Sequence, residues 1–558
     1  MIKKHTKMKK ILRVLPVIGI MFLSCTLERN PYDAIDKESL FENEGAIESA
    51  TIGNYASLKG DNGLDGWTDQ LHRLTEYPGD NISLSGSTSD PLNFIYNYRA
   101  ITTNSRVATF WSLSYQTVVG CNVVIEKAEE GVSVQLDQLI GENYYLRAMV
   151  YFQMGNVFGK PYNQGVSNLS IPLKLTSNVD DVPDRNTVGE VYDQVISDLL
   201  KAESLMTENK SATYATKEAA QALLSRVYLY MEDNVNAEVY ADKVLVSGRY
   251  SLLGTEAFKK MNYLNPQASS EAIFSITLNK EADLPGQWDN WYTVGSLYAS
   301  IEGNGWGEMY ASRSYMELLN ENDNDARKSF IAAQYTEENE TDRKPWVLWV
   351  DDSYVYQTRL TTEAAGITSF EESGVSYVVS DEVVNGKTKH YFEKGGNKQY
   401  VDKDFAMSKR NGFPKWFILK ASLQEDEVHL WSPAVSRLAE MYLNKAESFA
   451  KRSMDQKALD ELNVIRLRAG IPAYTLTNIP VGKTVLDVVL EERRLEFAFE
   501  GQRKFDVFRN GKTMNRRYPG GHLWGASPIY EIPASHNRVI EFIPEKQILL
   551  QPTLVQND

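Results

Sequence analysis

SPAVSRLAEMYLNKAESFAK (432–451), a short turn, and then ALDELNVIRLRAG (458–470) decide the architecture. Tyr and Leu recur at helical spacing, Ala fills the positions between them, and Gly470 stands where a helix C-cap needs a left-handed residue. The pattern predicts two antiparallel helices. EAAQALLSRVYLYM (218–231) and VNAEVYADKVLVSG (235–248), joined by the turn EDN, repeat it two hundred residues earlier. GENYYLRAMVYFQMGNVFG (141–159) adds a helix with Leu146, Met149, Val150, Met154, Val157 and Phe158 on one face. TVGEVYDQVISDLLKAESLM (187–206) opens on Thr187 with Glu190 three residues on, the capping-box arrangement.

A helix pair of about 35 residues with small residues at its contacts resembles a tetratricopeptide unit. The pairs are few and far apart, so a helical platform is expected rather than a long solenoid. Between the helical regions, 253–430 is rich in Gly, Asn, Asp and aromatics, with β-prone runs such as WVLWVDDSYVYQTRL (346–360). Asn385-Gly386 within SYVVSDEVVNGKTKHYF (376–392) predicts a hairpin turn. A second loop-rich window covers 59–106. Long irregular stretches inside a domain are usually functional, so both windows are candidate sites.

The N-terminus reads as an export signal: basic MIKKHTKMKK, apolar ILRVLPVIGIMFLS, then Cys25. The apolar run is too short, and too broken by Arg13 and Pro16, to span a bilayer. Ser24 directly before Cys25 matches a lipoprotein cleavage box, although Phe22 stands where Leu is usual. Cys25 is therefore the expected lipidation site, TLERNPYDAID (26–36) its tether, and the lipid the only membrane attachment. Cys121 is then left without a partner, and disulfides cannot hold the fold.

The formal charge is −15, and six positive charges lie in the leader, so the remainder carries −21. A surface that acidic excludes nucleic acid and other polyanions as ligands. The Gly-Lys-Thr triplets at 386, 482 and 511 lack the upstream glycine of a phosphate loop and read as turns. The six histidines form no metal-spaced pair, so no metal site is expected, and there is no Gly-x-Ser-x-Gly elbow. Glu491, Glu492, Glu496 and Glu500 form the densest carboxylate cluster. Arg493, Arg494, Arg503 and Arg509 are interleaved with them, which points to a structural charge network rather than catalysis.

LEERRLEFAFEGQRKFDVFRNGK (490–512), coming after RLAEMYLNKAES and ALDELNVIRLRAGIP, resembles the SusD/RagB family of Bacteroidetes outer-membrane lipoproteins. LERNPYDAIDKESLFENEGAIESATIGNYASL (27–58), SSEAIFSI (269–276) and IPEKQILLQPTLVQN (543–557) fit in the same order. The resemblance implies a mainly α fold with tetratricopeptide-like pairs, long loops and a few short hairpins. It also implies display at the cell surface, no enzymatic activity, and a SusC-like TonB-dependent transporter as partner. The expected organisation is a signal peptide (1–24), a lipid-anchored tether (25–36) and one domain (37–558). That domain divides into a helical half (37–252), a loop- and β-rich insertion (253–430) and a second helical half (431–558).

An oligosaccharide would stack its apolar faces on Trp or Tyr and meet Asn and Asp with its hydroxyls. GWTDQLHRLTEYPGDNISLSGSTSDPLNFIYNYR (66–99) offers Trp67, Asn81, Asn93 and Tyr96. GQWDNWYTVGSLYASIEGNGWGEMY (286–310) offers Trp288, Asp289, Trp291, Tyr292 and Trp306. Helix packing is the competing reading of each aromatic. A peptide cargo, as in the RagB branch, or a scaffold with no small ligand are the alternatives. No cofactor is expected, and the sequence leaves open whether calcium supports a loop.

Overall fold

Ser133 opens the longest helix, Val134–Phe158, its Oγ accepting from the Leu136 amide at 3.0 Å. In the computed structural model, which describes residues 44–558 apart from 62, 63, 287, 288 and 385, this helix is the axis of the N-terminal half. Cys25, the leader, the tether, Trp288 and Asn385 lie outside the described residues. The helix begins two turns before the expected boundary at Gly141. That glycine is not a terminus but a close approach: a Cβ there would meet Met206 Cγ at 2.6 Å. Almost every side of the helix is buried, against Glu44–Ser57, Ser105–Lys127 and Val188–Leu205. Ser105–Lys127, capped by Asn104, lacks a sharp apolar stripe, and periodicity alone does not mark it.

The expected capping box of Val188–Leu205 is present in both directions between Thr187 and Glu190. Lys217–Tyr230 and Asn234–Val246 form the first helix pair, and Leu438–Lys451 and Asp455–Arg468 the second. The pairs pack on each other through Leu438–Lys451 and Asn234–Val246. At that seam the Asn444 amide donates to Ser225 Oγ at 3.1 Å, and Arg226 makes a buried bidentate pair with Glu440 at 2.5 and 2.6 Å. Gly470 ends the second pair at φ +77°. The protein is mainly α, 44% helix against 17% strand.

Most strands fall within the 253–430 segment. Five form one sheet in the order Tyr356–Leu360, Pro345–Val350, Asn397–Phe405, Lys387–Lys394, Ser380–Val384. Val384 pairs with Lys387, so the two strands form the predicted hairpin. A three-stranded sheet, 362–378, packs on its outer face around Val347, Trp349, Phe370, Phe392 and Val401. Strand alternation gives Pro345–Val350 two cores: Val347 and Trp349 serve this lobe, Trp346 and Leu348 the main body.

Candidate functional site

The stretch from Asn290 to Tyr310 holds Tyr292 and Trp306 in solvent while Tyr298 and Tyr310 enter the core. The Trp306 indole N–H donates to the Trp291 carbonyl at 3.0 Å, and the Trp291 indole donates to Asn304 Oδ1 at 3.2 Å. The two rings meet edge to face, 5.4 Å apart at 84°. Trp306 is 49% exposed, Tyr292 57%, and Trp291 is half-buried beneath them. Asp289 starts the short 3₁₀ turn that carries Trp291. Gly305, at φ +97°, lets the loop turn over His429: a Cβ there would lie 2.5 Å from His429 Nε2. Burial lowers the His429 pKa to about 4, so the ring is neutral. Its bonds assign the tautomer, with Nε2–H donating to the Asn304 carbonyl and Nδ1 accepting from Ser422.

This cluster continues across the surface. Arg410 donates to the Trp306 carbonyl at 3.0 Å and to Glu308 at 2.7 Å. The adjacent Asn411 amide donates to the Ser85 carbonyl at 2.9 Å, and Ser85 in turn donates to the Glu308 carbonyl. Two residues further, the Phe413 ring contacts Trp524, which is 43% exposed. Tyr530, also exposed, faces Tyr354 at 5.9 Å. Trp524 and Tyr530 were not among the sequence candidates. The signal that finds them is the one used elsewhere: aromatics spaced by Gly, Pro and Ser in YPGGHLWGASPIY (518–530).

Apart from Ser85, the 66–99 window does not join this surface. It contains the helix Trp67–Thr75, the strand Ile82–Leu84 and the helix Leu92–Tyr96, and its Trp67, Asn81 and Tyr96 are internal. Trp67 stacks on Phe110 at 5.7 Å and donates to Ser114 Oγ at 2.8 Å. Asn81 is buried between Glu76, to which it donates, and Arg494, from which it accepts. The Tyr96 hydroxyl bonds His522 Nδ1 at 2.9 Å beneath Arg516. Asn93 is half-buried and accepts from the Asn97 amide at 2.7 Å. Trp67, Asn81 and Tyr96 are therefore packed inside the protein rather than presented on a surface loop, a correction to the loop expectation. The turn-forming residues of this segment build a buried polar seam instead.

The carboxylate cluster is spoken for by arginine. Glu496 meets Arg437 and Arg468, each at 2.5 Å, and Glu492 meets Arg327 at 2.6 Å and Arg466 at 2.8 Å. Glu500 pairs with Arg437 and Lys420. Glu491 alone faces outward, on Lys483 at 2.7 Å. Burial pushes the Glu496 carboxyl up, but the guanidinium groups of Arg468, Arg437 and Arg327 together outweigh it and hold it well below the usual range. Cys121 is buried and free, its thiol pushed up to about 12 by burial. Among the described residues no group of three or more His, Cys, Asp or Glu side chains is arranged to hold a metal ion.

With the geometry described, comparison with known proteins places the chain. Residues 270–558 match the model of the SusD family. The chain belongs to the SusD family. Residues 27–229 match a SusD-like model described as "Starch-binding associating with outer membrane". Among similar proteins, SusD-like protein P38 of Formosa agariphila is 24% identical over 521 residues, 92% of this chain and 93% of its own length. SusD-like protein P2 of the same organism is 23% identical over 517 residues, 90% and 91%. A SusD superfamily structure from Bacteroides thetaiotaomicron superposes with a TM-score of 0.70 at 23% identity, covering 92% of this chain and 99% of that one. The structure of a putative sugar binding protein from Bacteroides vulgatus gives 0.66 at 22% identity, covering 92% and 98%. These likenesses bear out the SusD/RagB reading and the fold.

Proposed function

We propose that this SusD-family chain is a cell-surface lipoprotein that binds an oligosaccharide on the aromatic face of Trp291, Tyr292 and Trp306. It then delivers the sugar to a SusC-like TonB-dependent transporter. The observation that carries this reading is the Trp306 indole, held half in solvent and edge to face on the half-buried Trp291, each ring fixed by its own N–H bond. A soluble protein gains nothing in stability from holding large apolar rings in water, and such rings mark binding surfaces. The starch-binding description of the N-terminal family model and the sugar-binding description of the Bacteroides vulgatus neighbour support sugar as the cargo. Trp524 and Tyr530 extend the platform for a chain of several units. The paired carboxylates fit a binding protein that leaves its cargo intact. No described helix is long and apolar enough to cross a membrane, which is compatible with attachment through lipid on Cys25.

Isothermal titration against a panel of maltoheptaose, xylohexaose, laminarihexaose and mannohexaose tests the site. Replacing Trp291 and Trp306 together by Ala is expected to weaken the bound sugar by roughly tenfold to a hundredfold, about 1.4 kcal/mol per decade. An unchanged affinity would remove the site. For the anchor, Cys25→Ala is expected to move the expressed protein from the membrane to the soluble fraction. Retention in the membrane would sink the lipoprotein assignment.

A further inference from the structure

The strand Asn397–Phe405 carries two carboxylates where a packed strand ordinarily carries apolar side chains. Asp402 and Asp404 stand opposite Leu348 and Trp346, whose side chains enter the main-body core. By alternation both carboxylates leave the sheet on that same inward side. In front of them lies a groove of about 370 Å³, within the range of about 300–1,000 Å³ typical of small-ligand sites. Its far wall is the helix Arg313–Leu319 with Asn320 at its end, and its base is Tyr335 and Trp416.

The polar groups here are fixed but not used up. Asp404 Oδ1 accepts from the Phe405 amide at 2.7 Å and from the Tyr335 hydroxyl at 3.2 Å, and a carboxylate has further lone pairs to offer. Burial raises the Asp404 pKa, as expected of an acid with few donors around it. Arg313 pairs with Asp402 and with Glu317, which holds the guanidinium beside the groove. Lys328 adds a cation beside Arg313, so both signs line the walls and neither an anion nor a cation is favoured. Fixed donors and acceptors without net charge, set against the apolar Met316, Leu348 and Trp416, suit a neutral polyhydroxyl ligand. The groove is separate from the aromatic face. A file of rings stands between them, Trp416 to Tyr356 at 5.9 Å, Tyr356 to Phe413 at 5.7 Å and Phe413 to Trp524 at 5.9 Å.

We infer that this groove is a second carbohydrate site, taking a mono- or disaccharide unit with Asp404, Asp402 and Asn320 receiving its hydroxyls. The choice of sugar rests on the proposed function of the aromatic face, so the test separates the two. Maltotriose, xylotriose, laminaritriose and mannotriose are titrated calorimetrically into the full mature chain, each too short to bridge both sites. The expected stoichiometry for the sugar that binds is two. Asn320→Trp, which fills the mouth from an exposed position, and Asp404→Asn, which keeps the shape, are each expected to reduce it to one. Replacing Trp291 and Trp306 by Ala should remove the other equivalent and leave the groove's affinity unchanged. A stoichiometry of one that both groove variants leave intact overturns the inference while the aromatic face stands. Loss of all binding in the groove variants alone upholds the groove and overturns the aromatic face. No binding of any trisaccharide overturns both.

Discussion

Arg437→Met is expected to destabilise the protein by about 3–5 kcal/mol, the usual cost of removing one partner from a buried ion network. Arg437 is 3% exposed and donates to Glu271 at 2.8 Å, to Glu496 at 2.5 Å and to both oxygens of Glu500 at 2.9 Å. It also donates to the Glu496 carbonyl, tying the strand Ala434–Arg437 to the end of the helix Val485–Glu496. Met preserves the volume, so the loss reports unpaired carboxylates rather than a cavity. With an unfolding entropy near 2.1 cal/mol/K per residue, a chain of this length should melt about 3–4 °C lower. The pH dependence distinguishes this cause from poor packing. Glu496 and Glu500 have folded-state pKa values held below their unfolded ones by the surrounding arginines, against the opposing effect of burial. Such groups contribute stability that is present above the unfolded pKa and lost as pH falls through the folded one. The deficit of Arg437→Met should therefore be equal at pH 8 and pH 6 and shrink only in strong acid. Lys201→Met, which breaks the exposed pair with Glu130, should leave the melting temperature where it was. A melt of Arg437→Met indistinguishable from that control would show that the network carries no stability.

The parts of this fold that were legible share a feature: their signal is local. The capping box of Thr187 and Glu190, the hairpin that pairs Val384 with Lys387 and the stop at Gly470 each depend on residues within four positions. The 66–99 window misleads because its meaning is set elsewhere. Asn81 is completed by Arg494, Asp80 by Arg503 and Tyr96 by His522, each more than four hundred positions away. Asn, Asp, Gly and Pro satisfy a buried polar seam as readily as they form a surface loop, and composition does not separate the two. The carboxylate cluster was readable as a charge network but not in its partners: the interleaved Arg493, Arg494, Arg503 and Arg509 pair with Asp506, Asp80 and Glu447 instead. The arginines that meet Glu492, Glu496 and Glu500 are Arg327, Arg437, Arg466 and Arg468, distant in sequence. At the candidate site, loop composition found Trp291, Tyr292 and Trp306 but passed over Trp524 and Tyr530. Asp402 and Asp404 are ordinary in sequence and become unusual only when strand pairing places them on the inward face.

Trp67→Ala is the complementary experiment, because it separates a buried tryptophan from the exposed ones that composition had grouped with it. The Trp67 ring is 1% exposed, stacked on Phe110 and bonded to Ser114. Truncation removes the transfer free energy of the indole and leaves a void that the packed helices Trp67–Thr75 and Ser105–Lys127 cannot close, together about 3–5 kcal/mol. The cost should lie towards the upper end, since Trp67 already borders a pocket of about 80 Å³ that the new void would join. Ser114 remains bonded to the Phe110 carbonyl, so the loss is one of packing and not of an orphaned hydroxyl. Trp67→Phe should recover most of it by restoring the stack, leaving a deficit of about 1 kcal/mol for the missing N–H bond. At a temperature where Trp67→Ala is folded, its sugar affinity should equal that of the parent. Trp306→Ala should behave in the opposite way, with an unchanged melt and weakened binding, because nearly half of its ring is already in water. If Trp67→Ala melted normally and lost its sugar, the aromatic surface would have to be redrawn to include it.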